Sequence, residues 1–231
     1  IGTSQRELWT SGIYNNIDNI FGWGKTHREL MKRDNFSDKA NFLEVGSPLF
    51  NMPPKERELS NKTPKIIYAS TKNDKNIILA LIKIKKLFDN LSITIKIHPG
   101  EGIPNHVNGE VFSIEPGNFP IENILEGFDV FITSYSGSHI AAMSLGLPVL
   151  FAPFYFQFPQ DLDTLYGINK KSMFHSYAKN PKELINILEK VLNNKRYRDT
   201  LIAEQKKYLS NLLANHTDKQ SVKLIDNRLL S

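Results

Sequence analysis

The sequence predicts an α/β fold, a doubly wound parallel sheet with helices on both faces. Three observations carry this expectation. From residue 65 onward, short apolar segments of strand length alternate with longer amphipathic segments. A helix start is spelled out at Asn180, Pro181 and Glu183, residue types suited to N-cap, N1 and N3. The stretch DVFITSYSGSHIAAMSLGLPVLF, residues 129–151, reads as a buried strand, a turn crowded with hydroxyls, a small-residue helix and a second strand.

Taken in order, DNIFGWG (18–24) is a strand running into a glycine turn. Thr26 and Glu29 have capping-box spacing, so a helix is expected to start there. NFLEVGSP (41–48) is a further short strand. The segment 51–64 is charged, proline-bearing and poor in apolar residues, the character of a linker. KIIYAS (65–70) is a strand, and residues 73–90 place Ile77, Leu81, Ile84 and Phe88 on one helical stripe. LSITIKIHPG (91–100) is a strand stopped by Pro99, and EVFSIEP (110–116) another short strand. Pro120 opens a short helix through Leu125. The strand DVFITS, the helix SHIAAMSLG and the strand PVLFAP follow, then helices over 180–194 and 196–214.

Composition narrows the function classes. With 231 residues the chain can bury a sizeable core. Its 40% hydrophobic and 23% charged residues are those of an ordinary globular protein rather than a disordered one. There is no cysteine, which excludes disulfides, thiolate metal sites and thiol nucleophiles. No apolar run is long enough to span a bilayer and no stretch reads as a signal peptide, so a cytoplasmic location is expected. The net charge of +5 suits phosphate-bearing ligands or an anionic membrane surface. Lysines along 72–86 and 195–207 could make a peripheral contact at the inner face of the cell membrane, or simply line solvated helix faces. Aromatic and basic residues do not interleave in a nucleic-acid pattern. There is no Walker loop, no dinucleotide glycine fingerprint and no metal-ligand spacing. TSYSG lacks the glycine two residues before the serine that a nucleophile elbow requires.

In a parallel sheet of this kind ligands bind beyond the carboxyl ends of the strands. That rule selects Ser70–Thr71, His98–Pro99 and Ser134–Ser138. A helix starting near Gly137 would offer free N–H groups to an anion, with the Ser136 and Ser138 hydroxyls as further donors. Either serine could equally be a helix N-cap. His98 could donate to a phosphate leaving group. Lys96, two residues back, shares its face and either adds charge or is solvated. Glu122 could accept both hydroxyls of a ribose or be a surface glutamate. His139, Glu115 and Asp161 lie near the same loops.

A strand ending K-x-HP, a strand ending in a serine cluster, a small-residue helix and G-x-P-V-x-F together resemble the C-terminal donor-binding domain of GT-B transferases. The resemblance covers about residues 65–228. It is strongest to the group using cytidine nucleotides, which includes CDP-glycerol glycerophosphotransferases, bacterial sialyltransferases and Kdo transferases. It implies a Rossmann-like domain over 65–231, a linker over 53–64 and the tail of an N-terminal acceptor domain over 1–52. The chain begins with Ile1, and a piece of a longer enzyme is expected. By the same resemblance His98 and Pro99 contact donor phosphate and cytidine, and Ser134, Ser136 and Ser138 hold phosphate. Glycerophosphotransferases have Asp at the Ser134 position and paired serines at Ser136–Gly137, a departure that the sialyltransferase pattern accommodates. The implied activity is transfer of a sugar, a sialic or Kdo-type acid, or a glycerol-phosphate unit from a CMP- or CDP-activated donor to a polysaccharide or lipid-linked acceptor of the bacterial surface. No cofactor is implied.

Overall fold

The computed structural model describes residues 19–26, 28–29, 41–47, 50, 57–59, 63–71, 74–104, 107, 109–134, 136–153, 168, 171–214 and 218–229. Most of the 53–64 linker, Tyr135 and Asp161 lie outside the described residues. The chain divides into two compact units, residues 55–205 and residues 1–54 with 206–231.

In the larger unit, strands β3 (Lys65–Ala69), β4 (Ser92–Lys96), β5 (Ser113–Glu115), β6 (Val130–Thr133) and β7 (Val149–Phe151) form one sheet of order β5-β4-β3-β6-β7. Every pairing is parallel. The interior strands read as unbroken runs such as Ile66-Ile67-Tyr68 because both faces are covered. Helices α1 (Lys75–Leu87) and α3 (Pro181–Asn193) cover the face carrying Ile66, Tyr68, Ile93, Ile95 and Ile132. Helix α2 (Ser138–Ser144) packs against β6 and β7 on the other face, where the His139 ring meets Phe151 edge to face at 5.5 Å. Helix α4 (Lys195–Leu212) follows α3, and its residues from Lys206 on belong to the smaller unit.

The expected stripe is what α1 buries: Ile77, Leu81 and Ile84 lie inside with Ile78 and Ala80, and Phe88 is half-buried at the helix end. Each aliphatic side chain buried in full contributes about 1.5–3 kcal/mol. The Asn180 carboxamide oxygen accepts the Glu183 N–H at 2.9 Å, and Pro181 opens α3 as its residue type requires. Gly146 closes α2 at φ 75°, where Leu147 N–H donates to the Ala142 carbonyl, 3.0 Å away. A side chain at that left-handed position would cost about 1–2 kcal/mol. Two elements differ from expectation. The strand over 110–116 shrinks to β5, which pairs only with Thr94–Lys96 at the sheet edge. The segment after Pro120 is two 3₁₀ turns, Ile121–Asn123 and Leu125–Gly127, too short to hold α-helical hydrogen bonds.

The strand order reverses between β3 and β6, since β4 and β5 step outward on one side and β7 on the other. Register sets Ala69 beside both Lys96 and Thr133, so the three strand tips leave the sheet side by side.

In the smaller unit, β1 (Asn19–Gly22) and β2 (Asn41–Glu44) pair in parallel, and α5 spans Asp218–Leu229. The Arg28 guanidinium lies 3.3 Å from Glu44 and 5.3 Å from the centre of the Phe42 ring. The capping box expected at Thr26 does not form. Lys25 and Thr26 are already helical, and the Thr26 hydroxyl donates to the Asn211 carbonyl at 2.9 Å. No described helix is long and apolar enough to cross a membrane.

Candidate functional site

Six residues singled out from separate segments line one cavity of about 390 Å³: Ser70, His98, Pro99, Glu122, Ser136 and Ser138. That volume falls in the range of small-molecule sites. They arrive by four routes. Ser70 directly follows β3, His98–Pro99 lie just beyond β4, Glu122 sits in the first 3₁₀ turn, and the two serines flank Gly137 at the start of α2. The cavity lies at the carboxyl end of the sheet, beside the point of strand-order reversal.

Hydrogen bonds fix the strand tips to one another. Ser70 N–H donates to the Lys96 carbonyl at 2.9 Å, and the Ser70 hydroxyl accepts His98 N–H at 3.3 Å. The His98 ring is committed on one side, where Nδ1 accepts Gly100 N–H at 3.2 Å. In the neutral ring the proton therefore sits on Nε2, leaving that nitrogen as the donor toward an oxygen. Gly117 closes the opposite wall: a Cβ there would stand 2.7 Å from the His98 carbonyl and 3.0 Å from Pro99 Cα, so only glycine permits this approach.

The hydroxyl run divides into two parts. Ser134 is buried at the end of β6, and its hydroxyl pairs with Thr71 at 2.6 Å across the strand-order reversal. Neither residue lines the cavity. Both sit close to the buried Tyr68 phenol, whose pKa is pushed well up, chiefly by burial and then by the Asp74 carboxylate. Ser136 and Ser138 stay at the cavity, half-buried, their hydroxyls 3.1 Å apart.

Gly137 is the N-cap residue and adopts an ordinary right-handed conformation at φ −60°. The helix start does not present the free N–H groups expected of it. Ser138 N–H reaches the Ser136 hydroxyl at 3.3 Å, His139 N–H the Ser136 carbonyl at 3.3 Å, and Ile140 N–H the Gly137 carbonyl at 3.1 Å. The α2 turn thus satisfies itself, and what it offers the cavity is hydroxyls. Gly137 is exposed and off the cavity wall. His139 is fully buried, and its Nδ1–H donates to the Ser136 carbonyl at 2.7 Å. Burial pushes its pKa down to about 4, so the ring is neutral near pH 7. It holds the turn from behind.

Sequence reasoning left Lys96 undecided between added charge and solvation. The structure buries it at 4% exposure in the cavity wall, with its ammonium donating to the Pro116 carbonyl at 2.7 Å and the Ile97 carbonyl at 3.0 Å. Burial lowers its pKa, and the Glu115 and Glu122 carboxylates oppose that shift. Gly117 and Phe119 were missed altogether. The signal available for them was a Pro-Gly-Asn turn directly after a strand.

No protein-family model and no curated protein matches the chain. Solved structures do. The wall teichoic acid polymerase TagF superposes with a TM-score of 0.66 at 16% identity, over 98% of this chain and 60% of that one. A TagF variant soaked with CDPG gives 0.64. A putative UDP-N-acetylglucosamine 2-epimerase from Listeria monocytogenes gives 0.58 at 14% identity, over 90% of this chain and 58% of that one. S. aureus MnaA with UDP gives 0.56 at 14% identity, covering 92% and 60%. The fold is GT-B, with a Rossmann-like parallel sheet. The chain spans about 60% of the length of these structures.

Proposed function

We propose that this chain carries the nucleotide-donor site of a transferase. It would move a sugar, a sialic or Kdo-type acid, or a glycerol-phosphate unit from a CMP- or CDP-activated donor to a bacterial surface polysaccharide. The observation that carries the proposal is the convergence of His98, Ser70, Ser136, Ser138 and Glu122 on one cavity at the carboxyl ends of the strands. Similarity to TagF structures, one of them soaked with CDPG, adds support.

In this scheme the Ser136 and Ser138 hydroxyls and His98 Nε2–H face the nucleotide phosphate. Glu122 accepts the ribose hydroxyls. The acceptor hydroxyl attacks the transferred group, the bond from that group to the nucleotide phosphate oxygen breaks, and the electron pair remains on the phosphate. His98 and the serines stabilise that charge as prearranged donors. The residues 1–52 are proposed to be the tail of an acceptor domain, the expected source of the general base. A lipid-linked acceptor would place the enzyme at the inner face of the cell membrane.

Calorimetric titration with CMP, CDP, UDP and GDP tests the proposal, on the native chain and on Ser136→Ala with Ser138→Ala. Cytidine nucleotides should bind selectively, and the double variant should lose that binding. Binding unchanged by the double substitution would remove the serines from the site. A second reading, a UDP-sugar transferase or epimerase, is favoured by the similarity to MnaA with UDP. UDP outcompeting CMP would establish it. Tight nucleotide binding with no turnover would instead favour a non-catalytic binding module.

A further inference from the structure

A second cleft lies away from the strand tips, at the amino ends of β4 and β5, and encloses about 680 Å³. That volume falls in the range of small-molecule sites. Its polar lining is mixed. Asp89 and Asn90 reach it from the turn between α1 and β4, and Glu110 from the segment before β5. Lys85 comes from the last turn of α1, Ser92 from β4 and Ser113 from β5. Carboxylates accept, an ammonium donates, and hydroxyls and carboxamides do both. The Lys85 ammonium gives one proton to the Leu91 carbonyl and keeps two. The strand edge adds backbone groups. β5 is the outermost strand and pairs with β4 alone. The Glu115 carbonyl accepts Ile97 N–H at 3.0 Å, so Ile114, one residue back on the cleft wall, turns its own N–H and C=O away from β4. Val111 and Ile114 are half-buried there and set aliphatic carbon beside the polar groups.

This mixture selects a class of ligand. Two carboxylates against one ammonium disfavour a phosphate or a carboxylate. No group of three acidic or histidine side chains suited to a metal ion occurs among the described residues, and the ammonium repels a cation. A neutral sugar ring meets every requirement. Each of its hydroxyls donates and accepts at once, and its C–H face packs on aliphatic carbon. We infer that the amino-end cleft is a second binding site, one that holds a neutral saccharide. On the transferase reading above, such a site would retain the growing polysaccharide between transfers, at the end of the sheet opposite the chemistry. The site itself goes beyond that reading and is tested apart from it.

Backbone amide NMR of the native chain is the test, with chitobiose and lactose as neutral probes and N-acetylneuraminic acid and glycerol 3-phosphate as anionic ones. A solvent-open polar cleft holds its ligand in the millimolar range, so each probe is titrated to about 20 mM. At least one neutral disaccharide should shift the amides of residues 89–92 and 110–114, and the anionic probes should not. Asp89→Ala with Asn90→Ala should weaken that binding about tenfold or more, the scale of losing hydrogen bonds to a charged group. Both side chains are exposed, and an unchanged melting temperature shows that the variant folds. Should it not, Glu110→Ala takes its place. CMP added to the saturated complex should leave the shifts standing. No shift of those amides by either neutral disaccharide would overturn the inference, as would equal shifts from the anionic probes or undiminished binding in the variant. Failure of CMP to bind would overturn the donor-site reading and leave the saccharide site standing.

Discussion

The central sheet has a cleft at each end, and the two differ in kind. The cleft at the amino ends of β4 and β5 is the larger, about 680 Å³, and is lined by loop residues such as Thr63, Asp89, Asn90 and Glu110. Its lysine, Lys85, is held by the Leu91 carbonyl. The cavity at the carboxyl ends is smaller, about 390 Å³, yet collects a histidine, a buried lysine, three serines and a glutamate from the segments at the ends of four strands. The difference follows from topology. In a parallel sheet each strand hands the chain to a helix at its carboxyl end, so helix starts and their positive dipole ends gather there. The other end receives helix termini, as α1 ends with Lys85 and Lys86 in its last turn. Strand polarity, rather than volume, is what sets the two clefts apart.

The sharpest way to break this comparison is His98→Ala. Turnover of a CMP- or CDP-activated donor should fall about 100-fold or more, the scale of removing one donor from a charge-stabilising site. Nucleotide affinity should fall far less. Initial rates beside calorimetry separate the two, and equal losses would leave His98 a ground-state contact only.

The support behind the site should be pH-dependent. His139 has a folded pKa of about 4 against an ordinary value of 6.5. The unfolded chain thus binds the extra proton first as pH falls. Its contribution is fully present above pH 6.5 and is lost toward pH 4, about 3 kcal/mol in all. Urea unfolding at pH 7 and pH 4.5 should register this loss, and His139→Gln should flatten the dependence.

A smaller effect is expected at Gly117. Gly117→Ala must push the loop or the His98–Pro99 turn apart, an overpacking that costs about 1–3 kcal/mol. The loss should appear as weaker CMP binding together with a melting temperature lowered by several degrees. The smallest effect belongs to the opposite cleft. Asp89→Ala with Asn90→Ala should leave nucleotide affinity unchanged, and any clear weakening would reopen the amino end as a nucleotide site.

The alternation of strands and helices was legible because it rests on local periodicity, and the Asn180 start on a local hydrogen bond. The strand tips of the candidate site were legible through the polarity rule for parallel sheets. What escaped depends on distant segments. Ser134 and Ser136 stand two apart in one hydroxyl run, yet Ser134 turns to Thr71 and Ser136 to the cavity. His139 falls in the expected helix near the candidate loops, but its burial against the Phe151 ring depends on a strand twelve residues on. The Lys96 ammonium is held by the Pro116 carbonyl, a contact twenty residues away in sequence that no periodicity encodes.

The loop after β5 is fastened to the frame by main-chain contacts at its root, the Pro116 carbonyl on Lys96 and the Gly117 backbone against His98. Asn118, Phe119 and Pro120 hang beyond that root, exposed. Such an arrangement is a cartridge. The outer residues can be exchanged by mutation without disturbing the strands or the serine turn, so ligand preference could drift, or be engineered, one short loop at a time.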